Sequence, residues 1–496
     1  MKAPPERIVI LGGGTAGWMA ANLIAHRWGG HRVTLVESPD IGIIGVGEGS
    51  TPQLKALFDK LGIAESEWMP RCNATYKNGI RFHGWSERAG FENYFHPFPS
   101  APDAELVPIF AYNTRARRTG RDVWAHPDRY FLPALLASER RGPIAHSAAA
   151  PSTSYGYHFD AHLVGAFLRD HAMGLGVTHL ERKVVHIALT EDGDIGHLVA
   201  ADGEAIAGDL FLDCSGFRGA IVQEVLNEPF VSFASNLFNN RAVVLPTPAD
   251  PAGTNAQTIS TALSAGWAWE IPLTNRTGNG YVYSSDFISD DAAEAELRTR
   301  LGLLDSPVEA RRLSMKVGRI RNAWVGNALA VGLSQGFVEP LEATALHVVQ
   351  TTVEQFLDAW EDQERDAFNA EIAARLEGIR DYIVCHYRMN RRTGTNYWRE
   401  NAANQNLSDS LKAILSCWFT GGDLSAEIAE QGIARFYAPL SWHCLLAGYG
   451  TFPEDARLVP PGSDIETFDL TRIDAFMRHA ATDFADHKAL LDRMAA

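Results

Sequence analysis

At 496 residues, 46% of them hydrophobic, the chain is long enough to bury a large core and to form two or three closely joined units. Its 44 Lys and Arg against 60 Asp and Glu leave a formal charge of -16, which argues against a general affinity for nucleic acid or for anionic membrane surfaces. Cys72, Cys214, Cys385, Cys417 and Cys444 are scattered without a Cys-x-x-Cys pair, so no disulfide framework or metal site is expected and a reducing cytoplasm fits best; no segment approaches the ~20 apolar residues of a membrane span.

Arg7 to Leu11 reads as a buried strand running into Gly12-Gly13-Gly14-Thr15-Ala16-Gly17, a G-x-G-x-x-G turn, and then into the helical stretch Trp18 to Arg27. In this context Gly12 permits the tight turn, Gly14 lets the backbone approach a pyrophosphate, and Gly17 lets helix pack on strand. The free N–H groups of the helix start, at Thr15 and Ala16, face the anion. A second strand, Arg32 to Val36, delivers Glu37, whose carboxylate can bond a ribose hydroxyl. A glycine-rich turn without a ligand is the plain alternative. Strand, helix and acid together favour a dinucleotide, with NAD and FAD both open at this point.

Further along, β-rich runs at Lys183 to Leu189 and Leu210 to Asp213 alternate with helical patterns, which makes the first two thirds α/β. Trp267 and Trp269, two apart on a strand, share a face and can form one indole wall; two core tryptophans are the plain alternative. Leu341 and Glu342 follow Pro340, and Ala343 to Gln350 reads as helix, which puts Glu342 near a helix start. From Val353 the helical period takes over, through Phe356, Leu357 and Trp360, then Ile372 to Tyr387 and Leu411 to Phe419. The expected division is an interleaved α/β core over 1–350 and a mostly helical region over 351–496 that completes the substrate site.

Two sets of segments carry a family resemblance. Asp209 to Arg218 and Gly326 to Gly332 resemble the strand-to-glycine turns of FAD-dependent aromatic hydroxylases, which favours FAD over NAD. Trp267-Ala268-Trp269-Glu270-Ile271-Pro272 resembles the W-x-W-x-I-P signature of flavin-dependent halogenases of the tryptophan and indole type. That resemblance extends through Gly45 to Pro52, Tyr157 to Asp160, Gly280 to Ser285 and Phe337 to Glu342.

The resemblance implies an FAD-binding, Rossmann-like core of the aromatic hydroxylase and halogenase type. FAD would be held by Gly12, Gly14, Thr15, Ala16, Gly17 and Glu37, by a flexible strap bearing Gly47, Glu48 and Ser50, and by Val185, Asp213, Gly332 and Leu341. Asn73 to Ile80 resembles the segment with the family's catalytic lysine, which makes Lys77 its counterpart, the group that holds and aims hypohalous acid. Glu342 matches a glutamate that polarises the oxidant or accepts the ring proton, and the backbone at Thr344 and Ala345 matches the halide position. Family members commonly have serine and glycine where this chain has Ala343 and Ala345. His96 and Phe98 match a segment that sandwiches the aromatic substrate, and Trp442 and His443 stand where tryptophan-specific members commonly carry paired tyrosines.

The implied activity is FADH2- and O2-dependent chlorination or bromination of an electron-rich, indole-type small molecule, with Trp267 and Trp269 walling substrate from the flavin and no metal. No second G-x-G-x-x-G is visible, so a separate NAD(P)H-dependent flavin reductase is the expected partner, and a homodimer is allowed. A flavin hydroxylase and a flavoprotein used only for binding or electron transfer are the competing readings.

Overall fold

The computed structural model describes residues 2–40, 47–147, 152–463 and 465–495. Contacts gather the chain into two units, one made of Met1–Ala74, Phe159–Ala234 and Met315–Glu377, the other of Thr75–His158, Ser235–Ser314 and Gly378–Ala496. The expected division after residue 350 therefore does not coincide with the observed one. It falls inside the helix Ala345–Asp362, whose apolar face runs unbroken from Leu346 and Val349 to Val353, Phe356, Leu357 and Trp360, so nothing interrupts the helix there.

The first unit is built on a six-stranded sheet in the order Trp324–Val325, Ala328–Ala330, Leu210–Asp213, Ile8–Leu11, Val33–Glu37, Thr178–Glu181. Its inner pairs are parallel, and only Trp324–Val325 runs antiparallel to its neighbour. Both faces of the sheet are covered, which explains why Ile8–Leu11 is apolar without alternation. On one face Val9, Leu11, Val36, Phe211, Ala328 and Ala330 pack with Ile195, Leu198 and Ile206. The last three come from a three-stranded antiparallel sheet, Val184–Leu189, Ile195–Ala200 and Ala205–Ala207. The helix Thr15–Trp28 lies against the first two strands and is itself packed by the helices Ala161–Gly174 and Ala345–Asp362. Ile8–Leu11 has a parallel neighbour on each side, so the chain leaves its carboxyl end at a point where strand order reverses, the place where such sheets bind ligands.

The second unit centres on a seven-stranded sheet, Arg311–Ser314, Arg241–Pro248, Arg276–Tyr283, Gly266–Pro272, Thr258–Leu263, Gly79–His83, Asn93–Pro97. All its pairs are antiparallel except Thr258–Leu263 with Gly79–His83. Val243, Leu245, Ala268, Tyr281 and Tyr283 form one core with Ala293 and Leu297 of the helix Asp290–Leu301. The C-terminal stretch is mostly helical as expected, with one exception: Phe484–Asp486 pairs antiparallel with Arg141–Ala145. Three residues are too few to show a period of two. Among the described residues no helix is long and apolar enough to cross a membrane.

Candidate functional site

In the first unit the glycine turn has three separate physical constraints. Gly12 has φ +116°, and a Cβ there would lie 2.2 Å from the Cys214 carbonyl oxygen. A Cβ on Gly17 would lie 2.0 Å from the Gly12 oxygen, so only glycine lets the helix sit this close. Gly14 is different: a Cβ there meets nothing within 4 Å, and its φ of -71° suits any residue. Gly14 caps Thr15–Trp28 with no side-chain bond, leaving the first N–H groups, at Thr15 and Ala16, for an anion. The space kept open at Gly14 is what close approach of a pyrophosphate requires.

Glu37 ends the second strand beside this turn. Its Oε1 accepts from His179 Nε2 at 2.7 Å, and its other oxygen lies 1.7 Å from where a Gly13 Cβ would be, so the carboxylate is held over the turn. Gly332, φ +73°, closes the same corner, since a Cβ there would sit 2.9 Å from Ala16 Cβ. Asp213 is fully buried, and its carboxylate is used within its own turn: it accepts from Ser215 N (3.0 Å), Ser215 Oγ (2.5 Å), Ile221 N (2.8 Å) and Val222 N (2.9 Å). It clamps the segment that Gly12 abuts. Val185 lies outside the six-stranded sheet and is 59% exposed, while Leu341 is buried in the short turn Pro340–Glu342.

Gly47–Gly49 forms a short strand with Ser50 buried after it; Gly45 and Val46 of the strap lie outside the described residues. Burial, with the Asp160 carboxylate nearby, pushes the Glu48 carboxyl up to about 7, so near neutral pH it shares time between acid and anion. Glu342 is buried. Ala343 after it takes the left-handed conformation, φ +55°, at a cost of roughly 1–2 kcal/mol for a residue with a Cβ. That turn delays the helix, which starts at Ala345 and not at Ala343 as the pattern suggests. Thr344 is the cap and makes no side-chain capping bond, so the first-turn N–H groups form an anion-favouring helix start.

In the second unit Lys77 ends the strand Thr75–Lys77 and has no exposed surface. Cross-strand pairing explains the space it has: Lys77 stands opposite Gly156, and Thr75, on the same face, stands opposite His158. The Lys77 Nζ lies 5.5 Å from the centroid of the Phe98 ring, within cation–π range. The exit of the strand is pinned, because Asn78 N donates to Ala256 O at 2.7 Å and Phe98 N donates to Asn78 O at 2.9 Å.

Around this strand two buried imidazoles have fixed tautomers. Thr75 Oγ donates its only proton to Pro272 O at 2.7 Å, so at 3.1 Å it accepts from His158 Nδ1–H, and His158 Nε2 accepts from Thr258 Oγ at 2.9 Å. Burial first, then the charge of Lys77, holds the His158 ring far below the usual imidazole range, so it is neutral. His487 Nε2 accepts from Tyr76 N at 3.1 Å, and its Nδ1 faces Thr254 O at 3.2 Å, which requires a proton on Nδ1.

Trp267 and Trp269 are both buried on Gly266–Pro272, with ring centroids 6.1 Å apart and planes inclined by 57°. Gly280, opposite Trp269, makes room for the indole, since a Cβ there would lie 2.1 Å from Trp269 Cζ2. His96 Nε2 is 3.1 Å from Ser441 Oγ, and Tyr382 O–H donates to Ser441 O at 3.0 Å. Tyr382 stacks on Tyr437 at 3.7 Å and meets Trp442 edge-on at 4.9 Å. His96, Trp442, Tyr382 and Tyr437 thus form one aromatic group. The sequence reading missed both tyrosines, because strands and helices far apart in the chain bring them together and no local spacing marks them.

His443, next to Trp442 on the helix Pro439–Gly448, belongs to a different cluster. Its Nδ1 is 3.1 Å from Thr114 Oγ1 and its Nε2 is 3.4 Å from Ser425 Oγ, between Phe110 and Trp418. Burial pushes it down to about 3, so it is a neutral packed ring with both nitrogens used.

A family model described as tryptophan halogenase matches residues 7–460. Over 495 aligned residues the chain is 36% identical to the 7-chloro-L-tryptophan 6-halogenase KtzR of Kutzneria sp. (strain 744), covering 91% of this chain and 92% of that protein. It is 34% identical over 485 residues to the tryptophan 7-halogenase RebH of Lentzea aerocolonigenes, covering 92% and 91%. The solved structure of BrvH, a flavin-dependent halogenase from Brevundimonas sp. BAL3, superposes with a TM-score of 0.84 at 30% identity, over 99% of this chain and 100% of that one.

Proposed function

The chain belongs to the tryptophan halogenase family, whose members are flavin-dependent halogenases, and from that premise we propose that it chlorinates or brominates an indole-type ring through hypohalous acid handled by Lys77. The observation that carries the assignment is a lysine fully buried on a strand and faced by an aromatic ring, where a solvated surface lysine would be the ordinary outcome. The flavin hydroxylase alternative has no use for such a group.

The residues at the first turn fit FAD: Gly14 with Thr15 and Ala16 would take the pyrophosphate, and Glu37 a ribose hydroxyl. Bound in its reduced form, FAD supplies with O2 the oxidising equivalents that turn halide into hypohalous acid. Backbone N–H groups at Thr344 and Ala345 favour the halide anion. The Lys77 ammonium donates to the oxidant and aims its halogen, and Glu342 accepts the proton that the ring loses. Trp267 and Trp269 exclude substrate from the flavin side, while His96, Phe98 and Trp442 stack on the substrate ring.

Reduced flavin is expected to come from a separate NAD(P)H-dependent reductase, because the chain offers no second nucleotide turn. NADH added to the purified, FAD-loaded protein should bleach the flavin no faster than it bleaches free FAD, and an added reductase should restore turnover. Rapid bleaching without the reductase would point back to a hydroxylase.

Free indole should be accepted at least as well as tryptophan. The two nitrogens of His443 are engaged by Thr114 and Ser425, and Trp442 offers one indole N–H, a donor only, so the pair gives a zwitterion fewer partners than paired tyrosines would give. A buried ammonium and carboxylate without partners cost several kcal/mol, roughly, which removes much of the discrimination in favour of the amino acid. The function is tested by supplying reduced FAD, oxygen and bromide with indole and tryptophan in competition and reading product masses. Bromoindole formed with kcat/KM at least equal to that for tryptophan is the expected outcome; hydroxylated product defeats the halogenase reading, and a strong preference for tryptophan defeats the substrate reading.

A further inference from the structure

The strand that carries Lys77 has a side-chain acceptor where a strand edge would ordinarily have another strand. Tyr76 N points away from the 156–160 strand, and this N–H, on a buried residue, donates to His487 Nε2 at 3.1 Å. The other nitrogen of the ring faces Thr254 O at 3.2 Å, and the His487 backbone N–H donates to Arg140 O at 2.9 Å. His487 has no exposed surface and opens the helix His487–Ala495, immediately after the strand Phe484–Asp486 that pairs with Arg141–Ala145. One imidazole therefore ties three parts of the second unit together, one residue from Lys77.

We propose that His487 is a positioning residue for Lys77: by accepting from the Tyr76 N–H it fixes the strand, and so the point from which the ammonium acts. The inference rests on the assignment of Lys77 as the group that aims the oxidant. Only a neutral ring protonated on Nδ1 can make both bonds, and burial, the first cause, holds His487 down to about 4, so this form prevails through the working range of an enzyme. A buried N–H without an acceptor does not stay unpaired, and the strand would shift to find one. A displacement on the order of 1 Å at a reacting group costs on the order of 100-fold in rate. The glycine turn, in the other unit, is not part of this network.

The test measures coupling, the fraction of oxidised FADH2 that appears as halogenated product, together with FAD affinity and the folded fraction. His487→Leu removes the acceptor, and His487→Gln supplies an amide oxygen for Tyr76 N–H and an NH2 for Thr254 O. The expected result is at least a tenfold fall in coupling for His487→Leu, with the diverted oxidant trapped by a thiol dye, FAD affinity within twofold, and most of the coupling regained in His487→Gln. A loss of product in simple proportion to the folded fraction, coupling unchanged in His487→Leu, or His487→Gln no better than His487→Leu would each overturn the proposal. If His487→Leu does not fold, His487→Asn, whose amide is one methylene shorter, takes its place, and unchanged coupling there overturns the proposal equally. Lys77→Ala run alongside separates the two claims: full coupling in Lys77→Ala defeats the lysine assignment, whereas its loss together with full coupling in His487→Leu defeats only the role of His487.

Discussion

Lys77→Ala is expected to lower halogenated product by at least ~100-fold while FAD binds as tightly as before, since loss of a group that transfers or polarises at the reacting centre typically costs 10²–10⁴-fold. The two functions are carried by different parts of the chain. Lys77 lies on the strand Thr75–Lys77 of the second unit, and the glycine turn Gly12 to Gly17 belongs to the first. Truncating a buried lysine that packs near Phe98 leaves a cavity, so the folded fraction of the variant is measured beside its product. Product is read by mass spectrometry under a fixed supply of FADH2 and halide, and affinity by flavin titration. Product within tenfold of the parent would remove Lys77 from the chemistry, and a parallel loss of flavin affinity would mean that the substitution disturbs the fold.

Gly12→Ala and Gly14→Ala should fail in different ways. At Gly12 a Cβ would lie 2.2 Å from the Cys214 carbonyl with φ at +116°, so both sterics and backbone conformation oppose it in the free protein. We expect a destabilisation of at least ~2 kcal/mol and loss of flavin binding as a consequence. At Gly14 nothing lies within 4 Å and the backbone is ordinary, so Gly14→Ala should leave the melting temperature of the flavin-free protein unchanged within ~2 °C. The added methyl would occupy the approach to the pyrophosphate, and FAD affinity should fall by at least ~10-fold, about 1.4 kcal/mol. Melting curves and flavin titrations on both variants give the contrast. Tight FAD binding by Gly14→Ala would show that the turn does not approach the pyrophosphate in the expected way.

Some features of both units are legible in local sequence because their determinants are local. Gly12, Gly14 and Gly17 are set by neighbours in one strand–turn–helix, and Glu37 follows one strand later; Trp267 and Trp269 share a face because strands have a period of two. The helix start was misplaced by two residues for an equally local reason, the left-handed turn at Ala343, which is a backbone choice that hydrophobic period does not encode.

By itself the sequence determined the glycine turn Gly12 to Gly17, the α/β class, the helical C-terminal stretch and, by resemblance, the family. Tertiary structure alone decided which side chains meet in the second unit. Trp442 and His443 are adjacent in sequence, yet one joins His96, Tyr382 and Tyr437 while the other is used up between Thr114 and Ser425. His487 reaches a strand 411 positions earlier in the chain. The physical reason is that periodicity fixes only which face of an element a residue occupies, whereas the partner of that face is fixed by packing of elements distant in the chain.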